Sequence, residues 1–196
     1  MSDPGHDSDA RARATWLRAR RQWGGPVTAL ELGDTASAVA LGASSAPERV
    51  IRLDLGVVEL ARRHFHAPRP GESAIEAAIA EVEELIMPLR PLVPRDSRCV
   101  TADPRVIRIA EALGVTRGAG ACLGTDAVEH GFNRWVSIAL GRPATQDTIP
   151  LDADFAASLL VLREWLHHLS FDNIHVSTRG TDSDPAPGLA SPGCQR

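Results

Sequence analysis

Three apolar runs lie close together near the start of the chain: VTALEL from Val27, TASAVALG from Thr35 and VIRLDLGV from Val50. The breaks between them, at Gly33-Asp34 and from Gly42 to Pro47, are too short to carry a crossover helix. Strands in this stretch must therefore pair antiparallel, as two or three members of one sheet. The rest of the chain reads mainly as helix. Strand signals ahead of helix signals predict an α+β fold over residues 26–177, with an N-terminal antiparallel sheet packed in two layers against a mainly helical C-terminal half. A chain of 196 residues is long enough for one well-buried core of this kind.

The helical half is written in caps and periodicity. In PGESAIEAAIAEVEELIMPLRPLVP, Ser73 and Glu76 have capping-box spacing, and Ile75, Ile79, Val82, Ile86 and Leu89 fall on one face. Pro88 lacks an amide hydrogen, so the regular helix should end or kink near Met87. Asp103 followed by Pro104 opens a short helix that Gly114 closes. Asp126 with Glu129 suggests a second capping box, leading a helix whose Val128, Phe132, Trp135 and Ala139 face inward. A helix from about Asp152 to Leu169 has Phe155, Leu159, Leu162, Leu166 and Leu169 in line, and it is the expected centre of the core. Residues 57–65 are ambiguous between strand and helix, and a short strand from Asn173 to Ser177 closes the ordered part. The tail 178–196, dense in Gly, Pro, Asp and Ser, is expected to be disordered.

Ahead of the sheet, residues 9–23 form one basic helix in an acidic protein, with five arginines against one aspartate. Trp16, Arg20 and Trp23 on it are candidates for partner binding, because Trp and Arg are favoured at hot spots. Packing of this helix onto its own domain is the competing reading. The net charge of −4 argues against nucleic acid as a partner. No stretch is continuously apolar for the length of a membrane span, and no signal peptide is visible, so a cytoplasmic location is expected.

All 21 basic residues are arginine, and tyrosine is absent. Schiff-base lysines, Walker lysines and tyrosine acids or bases are thereby excluded from the chain itself. Three cysteines without a CxxC pair indicate neither a zinc finger nor a disulfide framework. The glycine stretch RGAGACLGTD, residues 117–126, matches no nucleotide-binding fingerprint and reads as a hinge. No motif names a cofactor.

Two sets of polar residues remain. His64 and His66, together with His168, Asp172 and His175, supply nitrogen and oxygen donors for a metal if the chain folds them together. His167 and His168 are adjacent on a helix and diverge, so they do not serve one ion. His130 and Arg134, one turn apart on the polar side of the second capped helix, are candidates for an acid or base beside an anion-binding guanidinium. The acidic helix, with Glu72, Glu76 and Glu83, reads as a solubilising outer face. With no complete catalytic constellation, the leading expectation is a cytoplasmic accessory or adaptor protein acting through protein–protein binding, including self-association as a homodimer. The alternative is a small metal-assisted hydrolase or lyase using the histidine cluster.

Overall fold

The computed structural model describes residues 4–67, 69–116, 118, 120–143 and 148–177. The expected disordered tail lies outside the described residues. In chain order the elements are α1 (Pro4–Trp23), β1 (Val27–Glu31), β2 (Ser37–Gly42), β3 (Arg49–Leu53), α2 (Val57–His64) and α3 (Glu72–Ile86). After a 3-10 turn over Met87–Leu92 come β4 (Arg98–Thr101), α4 (Pro104–Ala112), β5 (Cys122–Gly124), α5 (Thr125–Ala139), α6 (Ala153–His168) and β6 (Asn173–Val176).

The fold is α+β, and the antiparallel meander β1–β2–β3 is its N-terminal sheet. That meander is half of a larger mixed sheet of order β3-β2-β1-β4-β6-β5. Strands β1, β4 and β6 run parallel, and β5 returns antiparallel to β6. Crossovers with helices connect the parallel members, as parallel pairing requires.

Alternation along the first strands sorts residues by size. Leu30, Leu32, Val39 and Leu41 face the main core, where α6 is central with Phe155, Leu159, Leu162, Trp165 and Leu166 buried. Ala29, Ala38 and Ala40 point the other way, onto α1. Small side chains on that face let the helix approach closely and leave room for Trp16, which is 0% exposed and donates its indole hydrogen to the Val27 carbonyl at 3.0 Å. Helix α1 thus adds a third layer where two were expected. Gly24 and Gly25 end it with φ of 65° and 66°, a conformation that disfavours side chains.

Helix starts divide into two kinds. Asp103 caps α4 as expected, accepting from the Arg105 amide, and Asp152, read only as the start of its helix, caps α6 by accepting from the Phe155 amide. The two capping boxes do not form: α3 and α5 begin after Gly71 and Gly124, so Ser73 and Asp126 fall inside the first turn. The Pro88 break is present as the 3-10 turn. Among the described residues no helix is long and apolar enough to cross a membrane.

Candidate functional site

Strands β1 and β4 are parallel neighbours whose outgoing chains diverge. From β1 the chain turns back into β2 on one side; from β4 it enters α4 and eventually reaches β6 on the other. Divergence leaves a crevice beyond the carboxyl ends of the two strands, the position where open sheets with parallel strands bind ligands. A cavity of about 220 Å³ occupies that place, lined by Leu32 and Asp34 after β1, Asp103, Pro104 and Arg105 after β4, and Asp7, Ser8 and Arg11 from α1.

The β1–β2 turn is tightly closed. A Cβ on Gly33 would lie 2.0 Å from the Ala36 carbonyl oxygen, so only glycine fits. Ser8 donates to that same carbonyl at 3.3 Å, bringing the start of α1 against the turn. Asp103 ties the turn to α4. One carboxylate oxygen accepts from the Arg105 amide at 2.8 Å and the other from the Leu32 amide at 2.9 Å. Thr101 fixes its backbone, accepting from the Asp103 amide while donating to the Leu30 carbonyl. Burial pushes the Asp103 pKa above the usual carboxylate value despite these donors.

Arg105 spans the mouth. Its Nη2 donates to Asp34 and its Nε to Asp154 at 3.2 Å. Burial works against the cation, but Asp34 and Asp154 outweigh it and hold its pKa above the ordinary guanidinium value. A guanidinium carries five donor hydrogens, and these two bonds use two of them. Asp34 itself is open to solvent, with 66% of its side chain exposed. On the α1 side Glu31 is fully buried, accepts from Thr15 at 2.7 Å, and lies 3.9 Å from Arg11 Nε. The arrangement is an exposed carboxylate beside a fixed guanidinium, at a helix start, over a rigid turn. It suits a tetrahedral oxyanion with a water molecule alongside.

The residues singled out by the sequence fall elsewhere. His64 bonds Glu81 at 2.7 Å, and His66 is exposed two residues on. His175 lies on β6 with Nε2 3.0 Å from Arg98, and burial, then the Arg98 charge, lowers its pKa to about 4. Asp172 is exposed in the turn before β6. The structure therefore does not gather His64, His66, His168, Asp172 and His175, which lie at the end of α2, just after it, at the end of α6, in the turn before β6 and on β6. Among the described residues the one group of potential metal donors that converges is Glu83, Glu164 and His168, which keeps only one member of the expected set. His130 and Arg134 are exposed on α5 and line neither this cavity nor the larger cleft at the opposite end of the sheet.

The three α1 residues expected to meet a partner are engaged within the domain. Trp16 is buried, Arg20 donates to the carbonyls of Ala43 and Ser44 at 2.9 and 2.8 Å, and Trp23 packs against His175 with Arg98 over its ring. Asp34, Asp103 and Arg105 were legible only as a turn, a cap and a first helical turn.

No family model matches the chain, and no curated protein matches it. Solved structures do. The Ppx/GppA phosphatase of Aquifex aeolicus in its type II variant superposes with a TM-score of 0.71 at 17% identity, covering 86% of this chain and 59% of the other. An exopolyphosphatase from Cytophaga hutchinsonii gives 0.69 at 14% identity, covering 89% and 60%. An exopolyphosphatase-like protein gives 0.67 at 15%, covering 90% and 63%. The chain thus shares their fold and spans about three-fifths of their length. This corrects the expectation of an accessory protein acting by protein–protein binding: the solved structures that share the fold are a Ppx/GppA phosphatase and an exopolyphosphatase, and the basic helix that was one motive for the expectation packs onto its own sheet.

Proposed function

We propose that this chain is a hydrolase of phosphoryl compounds, with its site in the cavity between the β1–β2 turn and the start of α4. One observation carries the reading: the Arg105 guanidinium and the exposed Asp34 carboxylate meet at the carboxyl ends of parallel β1 and β4. The likeness in fold to Ppx/GppA phosphatases and exopolyphosphatases supports it. Phosphomonoesters and phosphoanhydrides are the substrate class.

Arg105 would bind the oxygens of the transferred group and stabilise their charge as water bonds to phosphorus and the bond to the departing alcohol or phosphate oxygen breaks, that group leaving to solvent. Lysine is absent from the chain, so this work falls to arginine and to backbone amides. Asp34 would orient the attacking water and accept its proton. Asp103 positions both, since it holds the Leu32 amide and the Arg105 amide at once.

The test is phosphate release by the full chain from inorganic polyphosphate and from p-nitrophenyl phosphate, each with and without Mg²⁺. Release from either substrate that is lost in Arg105→Ala and Asp34→Asn is the expected result. Release from neither, in a protein whose circular dichroism shows it folded, overturns the reading.

A further inference from the structure

Glu164 and His168 sit one turn apart on α6, and Glu83 reaches them from α3. His168 Nε2 lies 2.8 Å from Glu83 Oε1 and 3.0 Å from Glu164 Oε2. Glu164 is 1% exposed; its other oxygen meets Arg163, which also serves Glu129. Three carboxylates are thus set around one guanidinium and one imidazole. Nε2 can carry a single hydrogen whatever the charge of the ring, so it cannot give a full bond to both carboxylates that face it.

We propose that Glu83, Glu164 and His168 hold a divalent first-row metal ion, Zn²⁺, which clasps α3 to α6. The donor set is one imidazole nitrogen and two carboxylate oxygens, the kind that zinc accepts with a fourth position left to water. At metal–ligand distances of about 2.0–2.1 Å, tetrahedral donors stand roughly 3.3 Å apart. The observed contacts need to open only by a few tenths of an ångström. Two carboxylates balance the charge of the ion, and the imidazole favours it over Mg²⁺ or Ca²⁺. Glu83, partly exposed, provides the way in.

The site is separate from the proposed hydrolytic cavity. His168 is fourteen residues from Asp154 on the same helix, about 21 Å at 1.5 Å per residue. Its role is to fix two helices, and its test does not depend on activity.

Calorimetric titration of the metal-stripped full chain with Zn²⁺ reads the binding, with Co²⁺ as a spectroscopic substitute whose visible absorption reports four-coordination. The expected result is one Zn²⁺ per chain, an upward shift in melting temperature, and weakening by at least about a hundredfold in both Glu83→Gln and His168→Gln. Melting of each metal-free variant near the wild-type temperature establishes that it folds. Retained affinity in either variant, or no heat and no cobalt spectrum with the wild-type chain, overturns the proposal and leaves an imidazole shared between two carboxylates.

Discussion

The two ends of α6 carry opposite electrostatic arrangements on one rigid rod. At its start, Asp152 holds Arg108 while Asp154 shares Arg105 with Asp34, so that two guanidiniums serve three acids. At its finish, Glu164 and its neighbours Glu83 and Glu129 share one arginine and one histidine. Two guanidiniums at the mouth of a cavity leave donor hydrogens for an incoming anion. Excess carboxylates around a buried oxygen call for a cation. Similar numbers of acids therefore suit opposite ligands, and a second guanidinium at one end against an imidazole at the other decides which.

Breaking the first end should give the largest effect. Replacing Arg105 by Ala is expected to lower phosphate release by about 100- to 1,000-fold, as removal of a charge-stabilising donor does in other enzymes. Arg108→Ala is the control from the same cluster. Its bonds go to the Asp152 carboxylate, so it should cost stability and leave the rate within a few-fold; a fall equal to that of Arg105→Ala would erase the distinction between them.

At the second end, Arg163→Met removes the guanidinium from a carboxylate that has no access to water. Breaking a buried pair on one side costs about 3 kcal/mol, read as a lower midpoint of urea unfolding. Adding Glu164→Gln to that variant should return much of the loss, because the stranded charge goes with it. If the double variant is no more stable than the single one, packing of Arg163 over the Phe132 ring, not charge, is what it contributes.

Acid separates the clusters more gently. Arg108 holds Asp152, and Arg163 holds Glu129, below their ordinary pKa values. A carboxylate lowered by folding stabilises the protein above its unfolded pKa, and that contribution is lost as pH falls through the folded value. Asp152→Asn and Glu129→Gln should each flatten the acid limb of melting temperature against pH below about 4.5. An unchanged limb in both would place acid sensitivity elsewhere.

How far the sequence foretells each feature depends on how local its signal is. The meander β1–β3, the cap at Asp103, and the start and core stripe of α6 are written within short stretches of chain, and they stand as expected. Strands β4 and β5, of four and three residues, are too short for alternation to show and exist because their partners lie far away in sequence. Capping boxes at Ser73 and Asp126 had the right spacing, yet a glycine just upstream let the helix start sooner. The candidate cavity was hidden for the same reason as β4. Asp103 reads as a cap, and nothing near it reveals that its second oxygen holds Leu32, 71 positions away. The Glu164–His168 pair is legible as a one-turn spacing on α6, but Glu83 belongs to a helix that reads as outer surface.

The smallest expected effect tests the contrast in its narrowest form, between two histidines seven residues apart. His168 faces carboxylates, whereas His175 is packed beside Arg98 and Trp23 with its Nδ1 buried and unpaired among the described residues. Burial first and the Arg98 charge second bring the His175 pKa down from 6.5 to about 4. Folding therefore favours the neutral ring. Its contribution is fully present above pH 6.5 and declines as pH falls toward 4, where the folded protein at last takes up the proton. His175→Gln should remove that part of the decline between pH 6.5 and 4 and leave stability at pH 8 nearly unchanged, as read by urea midpoints across the range. If the variant keeps the wild-type slope, β6 does not hold a neutral imidazole against Arg98, and the difference between the two histidines reduces to exposure alone.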